Sequence, residues 1–213
     1  MAHGHGGGHG AGHGDGDGNK TIAIFISVIA LFLAIAETFA KSAQTNQISY
    51  NVEASNLWSF YQAKTIRQTT LNTAADQMSI DVALAKDPAV KKALEDQVKK
   101  WRDTAVRYQS EPTLDPNTKV QRKHPASGLP LGEGRTELQN LANGMSLLRD
   151  VAADKYHLFE IASAMFQVAL VLTSVYLLTH AALMLWASFG LCGLGFALMA
   201  AGFFKPDLIH LIH

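Results

Sequence analysis

The sequence is short of the residues that stabilise small secreted domains and zinc modules. It has one cysteine, Cys192, in 213 residues, so an intrachain disulfide is impossible and a cysteine-based zinc site is excluded. It also has no net charge, because 18 Lys and Arg balance 18 Asp and Glu. Without a basic cluster there is no electrostatic footprint for DNA or RNA. The sequence therefore predicts no nucleic-acid partner and a fold held together by packing alone.

The chain also lacks the short motifs that mark common catalytic sites. It contains no HExxH pair, no Walker loop and no nucleophile elbow. The glycine-rich stretch GLCGLG at 190–195 has no preceding strand and no following Lys-Ser/Thr, so a phosphate-binding loop is excluded. We expect a protein that is not an enzyme, with no catalytic residue and no cofactor.

Charge is almost absent from three apolar segments. Residues 20–40 contain Glu37 as their only charge after Lys20, and at about 1.5 Å per residue they cover the roughly 30 Å hydrocarbon core of a bilayer. Residues 161–178 and 181–204 predict a tight transmembrane hairpin, with one long helix as the less favoured alternative. A cleaved signal peptide is disfavoured, because the first twenty residues hold one Lys and no Arg, where a signal peptide would be positively charged. The predicted fold is an all-α integral membrane protein with three transmembrane helices.

The charges beside these segments predict an orientation. Basic residues flank the membrane on the side of the central region, at Lys41, Arg149, Lys155 and Lys205. On the side of the amino-terminal tail, Lys20 is opposed by Asp15 and Asp17. The positive-inside rule then places the central region in the cytoplasm and the tail outside.

The central region, 41–160, predicts a helical, coiled-coil-like stalk. Apolar residues recur there at spacings of three and four, which is typical of a helix seam. Asp87 and Pro88 form an N-cap and first-turn pair that predicts a new helix. Residues 111–134 carry four prolines and three glycines, so we expect a linker there, with mobility favoured over a docking role. The three seams are Leu57, Tyr61, Lys64, Gln68, Leu71, Ala75, Met78 and Val82; Val90, Leu94, Val98, Trp101, Ala105 and Tyr108; and Leu138, Leu141, Met145, Leu148, Ala152, Lys155 and Phe159.

The tail of residues 1–19 is rich in histidine and glycine, and a second short tail follows at 205–213. Neutral imidazoles on a flexible chain bind Zn(II), Cu(II) or Ni(II). A disordered leader without a metal role is the favoured interpretation, because neither a rigid frame nor supporting partners are visible. The candidate ligands are His3, His5, His9 and His13.

Two features inside the apolar segments are candidates for a role beyond anchoring. Glu37 is a candidate intramembrane polar site of the kind that marks ion paths, although a position near the membrane boundary is favoured. Gly193, Ala197 and Ala201 repeat every four residues, which predicts close packing against another span or another copy of the chain.

Residues 51–67, NVEASNLWSFYQAKTIR, carry a motif of aromatic, amide and basic residues. With one leading span and a closing hairpin, this stretch resembles the bacterial family catalogued as domain of unknown function 4337. The resemblance implies a bacterial inner membrane and no established activity. Lys64 and Arg67 share a helix face with Tyr61, and we favour pairing with acidic residues on a returning helix over binding of an anionic partner. The motif comprises Trp58, Phe60, Tyr61, Gln62, Ala63, Lys64, Ile66 and Arg67.

These patterns favour a non-enzymatic membrane scaffold or accessory subunit. Exposed helix seams need partners, so we expect the stalk to self-associate or to dock onto a larger inner-membrane complex. One alternative is a metal-binding or metal-sensing protein that uses the external tail. A second alternative is a small oligomeric channel lined by Ser27 and Glu37.

Overall fold

The computed structural model describes residues 15–204, which fold into four α-helices. The predicted all-α class is confirmed for this part of the chain. Three of the helices, α1, α3 and α4, are long and apolar enough to cross a membrane. The helices are α1 (Asp15–Leu84), α2 (Pro88–Gln109), α3 (Arg135–Thr179) and α4 (Ala182–Phe204).

The helices contribute to two compact units. The span unit comprises the described residues up to Gln44 and from Ala153 onward, and the central unit comprises Thr45–Ala152. Each unit has its own hydrophobic cluster, one around Phe166 and one around Met145.

The predicted hairpin in the span unit is confirmed. Helix α3 ends at Thr179 and α4 begins at Ala182. His180 turns the chain with a φ of 51°, and its N–H donates to the carbonyl of Tyr176 at 2.8 Å. This backbone turn excludes the alternative of one continuous helix.

Aromatic rings of α3 pack on glycines of α4 within the span unit. A methyl group at Gly195 would approach Phe166 to 3.1 Å, and one at Gly202 would approach Phe159 to 3.0 Å. Both contacts are tighter than ordinary van der Waals packing, so a larger residue at either glycine would require the neighbouring ring to shift. Nearer the turn of the hairpin, the buried hydroxyls of Thr173 and Ser188 lie 2.7 Å apart and fix the register of the two helices.

The helix seams predicted for the central unit face inward. The α1 seam from Leu57 to Val82 is buried or half-buried throughout. In α2 the predicted seam is buried or half-buried except Val90, which is 51% exposed. The predicted cap of α2 is confirmed, since Asp87 accepts the N–H of Ala89 at 2.8 Å.

Residues 111–134 are not helical, but the expectation of a mobile linker is wrong. Three extended segments pair in an antiparallel manner through isolated bridges. Their backbone hydrogen bonds include Thr113 N–H to Leu131 O at 2.9 Å and Leu131 N–H to Arg122 O at 2.7 Å. The prolines occupy turns and edges that need no N–H donor, so the composition that suggested disorder is compatible with order. The segment is named here the loop module.

Candidate functional site

The side chains of the motif on α1 divide between two faces of the helix. Tyr61 and Lys64 are half-buried and point towards the rest of the central unit. Gln62, Ile66 and Arg67 are exposed. The motif therefore supplies both an internal contact surface and an outer one.

The inner face of the motif holds both ends of the loop module. Lys64 Nζ lies 3.0 Å from the carboxylate of Glu111, where the module begins, and 4.7 Å from the ring centre of Tyr108. Arg135, the first residue of α3 directly after the module, donates to Tyr61 Oη at 3.1 Å, and its guanidinium lies over the Tyr61 ring at 5.2 Å. Lys64 thus makes the intramolecular ion pair that the sequence favoured, with an acidic partner in the loop module rather than on a helix.

Gln68, one turn after Lys64, joins these contacts. Its amide donates to the carbonyl of Ala105 at 2.9 Å, and its oxygen accepts a short hydrogen bond from Arg135. The Arg135 guanidinium is surrounded by neutral acceptors on Gln68, Gln109 and Tyr61, and its buried Nε has no hydrogen-bond partner. One seam of α1 therefore aligns the end of α2 with the start of α3.

The loop module contains two turns of the same construction. In the first, Asp115 precedes Pro116, and its carboxylate accepts the N–H groups of Asn117 and Thr118 at 2.9 Å each. Lys119 then adopts a φ of 58° and donates to the carbonyl of Asp115 at 2.9 Å. The N–H groups of Thr118 and Asn117 hold the pKa of Asp115 below its ordinary value, because they stabilise the ionised form.

The second turn begins nine residues later, at His124. His124 Nδ1 accepts the N–H groups of Ala126 and Ser127 at 3.3 Å each, in the place of the aspartate oxygen. Gly128 adopts a φ of 67° and donates to the carbonyl of His124 at 2.8 Å, as Lys119 does in the first turn. The sequence signal for this repeat is a residue with a side-chain acceptor before proline, followed by Ser or Thr and a left-handed residue.

The imidazole of His124 also connects the loop module to α1. Because Nδ1 accepts from the backbone, the hydrogen-bonding pattern assigns the proton to Nε2, which donates to Glu53 Oε1 at 2.8 Å. Nearby, Leu129 packs on Gly144 of α3 so closely that a methyl group there would overlap it. The module is therefore attached to α1 at its beginning, at its second turn and at its end.

Replacing His124 by asparagine is expected to release the second turn from α1 while preserving the turn itself. Asparagine retains a side-chain acceptor for the turn but does not reach Glu53. Loss of a hydrogen bond to a half-exposed carboxylate, worth about 1 kcal/mol, should accelerate exchange of the Arg122 and Leu131 amides about fivefold. Hydrogen exchange of the full-length protein in detergent measures this.

The matched control is Asp115→Asn, which makes a similar change in the first turn. The hydrogen-bond partners of the Asp115 carboxylate are the N–H groups of its own turn. Exchange at Arg122 and Leu131 should therefore remain at the wild-type rate. Equal exchange rates in the His124→Asn variant and the wild type would show that the contact with Glu53 does not hold the module.

An apolar cleft of about 360 Å³ lies between α1, the loop module and α3. Phe60 of the motif stands at its edge and is largely exposed. Its size and lining suit an apolar side chain rather than a polar substrate. The cleft is lined by Leu57, Phe60, Lys64, Leu131, Gly132, Glu133, Leu138 and Leu141.

The outer surface of α1 in the central unit carries a second feature, named here the uncharged face. Its members follow one another at spacings of three and four residues, so they lie on one side of the helix. All of them are exposed and none is ionisable. The five large aliphatic side chains among them are between 53% and 72% exposed. The uncharged face comprises Ile48, Val52, Ser55, Ser59, Gln62, Ile66, Thr70, Thr73, Gln77, Ile80 and Leu84.

The remaining candidate residues are not brought together in one site. His3, His5, His9 and His13 lie outside the described residues. Within the described part of the chain, no group of three or more His, Cys, Asp or Glu side chains is placed to hold a metal ion.

Two of the three small residues predicted for packing in α4 face outward. A methyl group at Gly193 would meet no heavy atom within 4 Å, and Ala197 is exposed, while Ala201 is half-buried. The glycines that contact another helix of this chain are Gly195 and Gly202. Packing of Gly193 and Ala197 against another copy remains a prediction.

Glu37 makes a contact that sequence reasoning did not anticipate. Its carboxylate accepts the side-chain amide N–H of Gln167 at 3.2 Å, and both side chains are exposed. Ser27, the other predicted channel residue, donates its hydroxyl to the carbonyl of Ala23 within the same helix at 2.9 Å.

One family model matches this chain over residues 18–205, and it is described as a domain of unknown function (DUF4337). No curated protein and no solved structure matches the chain. The matched range includes all four helices from residue 18 onward and the loop module.

Proposed function

Since the chain belongs to the DUF4337 family, whose description names no activity, we propose that it is a non-enzymatic membrane scaffold that assembles with copies of itself. In this proposal, α1, α3 and α4 anchor it in a bacterial inner membrane with the central unit in the cytoplasm. The uncharged face of α1 is the surface through which the central units associate. That face is the observation that carries the proposal.

The absence of charge on this face fits contact with an identical face. Two copies inserted in one membrane have parallel α1 helices, so residues at a two-fold contact meet their own counterparts. An ionised residue there would meet a like charge at short range. From Ile48 to Leu84 the face spans about 54 Å of helix without one such residue.

Two of the polar residues of the face, Ser59 and Thr70, are also suited to burial. Ser59 donates its hydroxyl to the carbonyl of Ser55 at 3.0 Å, and Thr70 donates to the carbonyl of Ile66 at 2.9 Å. These hydroxyls need no water as an acceptor, so covering them costs little. The exposed aliphatic side chains between them supply the apolar area that association would remove from water.

Another side of α1 is occupied, and ionisable residues flank the uncharged face. Ala54 and Leu57 pack with α3, and Gln68 contacts α2. Arg67 and Asp76 are exposed ionisable residues that lie to either side of the uncharged face. The uncharged face is therefore bounded by an ionisable residue on each side.

The test is self-association of the full-length protein with lysines placed on the uncharged face. Ile66→Lys combined with Ile80→Lys should weaken association at least about tenfold, the equivalent of about 1.4 kcal/mol, because like charges would meet at the contact. Native mass measurement in nanodiscs across a concentration series gives the dissociation constants.

Asn72→Lys is the control, because it adds the same charge at an exposed position about 120° around the helix from Ile66. This variant should associate like the wild type. A wild-type protein that is monomeric while its central unit unfolds cooperatively would overturn the proposal. Association that is equally strong with lysines on the face would place the contact elsewhere.

A further inference from the structure

The Glu37–Gln167 pair in the span unit lies on the surface of the apolar helices rather than between them. Gln167 is six residues beyond Ile161, where the second predicted span begins, which is about 9 Å along the helix. Glu37 lies only three residues before the end of the first predicted span, so a hydrogen bond to the deeper Gln167 directs its carboxylate towards the interior of the span. A carboxylate that reached for the membrane boundary would turn the other way.

The hydroxyl side chains of the predicted spans show how unusual this position is. Thr173 and Ser188 are fully buried and bonded to each other. The exposed hydroxyls of Thr38 and Ser174 donate to carbonyls of their own helices at 2.7 and 2.9 Å. Ionisable residues inside membranes almost always face protein or water rather than lipid.

The pair retains hydrogen-bonding capacity. An amide has two N–H groups and a carboxylate has two oxygens with several lone pairs, and one hydrogen bond uses only a part of this. Acyl chains offer no partner for the remainder, and unsatisfied polar groups are unfavourable in hydrocarbon. A polar group on a neighbouring protein surface would satisfy the remaining capacity.

We propose that the Glu37–Gln167 pair contacts the same pair in a second copy of the chain. The patch contains one strong donor and one strong acceptor, so it is complementary to itself about a two-fold axis. Gln167 of each copy would donate its second N–H to Glu37 of the other. The inference rests on the proposed self-association and assigns it a contact within the membrane.

The neighbouring residues allow the close approach that such a contact needs. Ala34 lies one turn before Glu37, and Ala164 lies one turn before Gln167. Both are exposed, and small residues let helix backbones approach in lipid. The hydrogen-bonding pair supplies the specificity of the contact and the alanines supply the space for it.

The experiment measures self-association of full-length protein in lipid nanodiscs for the wild type and Gln167→Leu. Two symmetry-related hydrogen bonds of about 0.6 kcal/mol each predict an association about eightfold weaker in the variant. Glu37→Gln retains an acceptor and should associate within about twofold of the wild type. Ser174→Ala, which removes an exposed hydroxyl bonded within its own helix, is the control and should leave association unchanged.

The outcomes separate this inference from the proposed function. If the wild type is monomeric, both are overturned. If Ile66→Lys with Ile80→Lys weakens association but Gln167→Leu does not, the proposed function stands and the membrane contact is overturned. If Gln167→Leu leaves self-association intact but prevents copurification of a different membrane protein, the second copy is not the occupant of this surface.

Discussion

Replacing Met145 by alanine is expected to lower the free energy of unfolding of the central unit by about 3 kcal/mol. Met145 is fully buried and belongs to a cluster with Ala54 and Leu141, against which Leu129 and Leu131 of the loop module pack. The substitution removes apolar area that folding had taken from water and leaves a cavity where two helices and the loop module meet. Its effect should therefore be large for a single residue.

Urea unfolding of the detergent-solubilised protein, followed by fluorescence of Trp58 and Trp101, measures this loss, since both residues lie in the central unit. The control is Leu147→Ala on the same helix, because Leu147 is 65% exposed. That variant should change the unfolding free energy by less than about 0.5 kcal/mol. Equal losses in the two variants would mean that the cluster around Met145 is not the core of the unit.

The seams of the central unit were predictable because periodicity identifies a helix face directly. Residues such as Leu71 and Ala75 recur every three or four positions, and a helix must place them on one side. Their inward position is confirmed for α1. The same pattern did not predict the uncharged face. Serine, threonine and glutamine between isoleucines are common on any exposed side of a helix, so their exposure in the structure was needed to identify the face.

The loop module was missed because proline and glycine were weighed by number rather than by position. Pro116 and Pro125 each follow a residue whose side chain closes a turn, and Gly128 supplies the left-handed conformation that the second turn needs. Comparing the segment with itself at an offset of nine residues would have predicted two equivalent turns. The contact between His124 and Glu53, 71 residues apart, has no local signal.

The packing of α4 was not predictable in detail, because several sets of small residues coexist in one helix. Four-residue spacing selects Gly193 and Ala197, whereas the helix uses Gly195 and Gly202 against its neighbour. These two glycines are seven residues apart, and so are Phe166 and Phe159, the residues whose rings contact them. The choice among the sets depends on the partner helix, which the sequence of α4 does not contain.

This pairing of rings and glycines leads to the second prediction of a large effect, Phe166→Ala. Within lipid, transfer from water does not drive helix association. The substitution should therefore lower the free energy of unfolding of the span unit mainly through the cavity that it leaves, by about 2 kcal/mol. Unfolding of the span unit in mixed detergent micelles, followed by Trp186 fluorescence, measures it. The control, Phe204→Ala, removes a ring that is 86% exposed and should have little effect.

A double substitution tests the physical cause more sharply than either single one. Gly195→Val alone should destabilise the span unit by about 1–3 kcal/mol, because its Cβ would meet the Phe166 ring at 3.1 Å. Combined with Phe166→Ala, the valine enters the space that the ring has vacated. The two changes should then be less damaging together than the sum of their separate effects, with a coupling of at least about 1 kcal/mol. Additive losses would mean that Phe166 and Gly195 are not in contact, and that the register of α3 and α4 set by Thr173 and Ser188 is different from the one described.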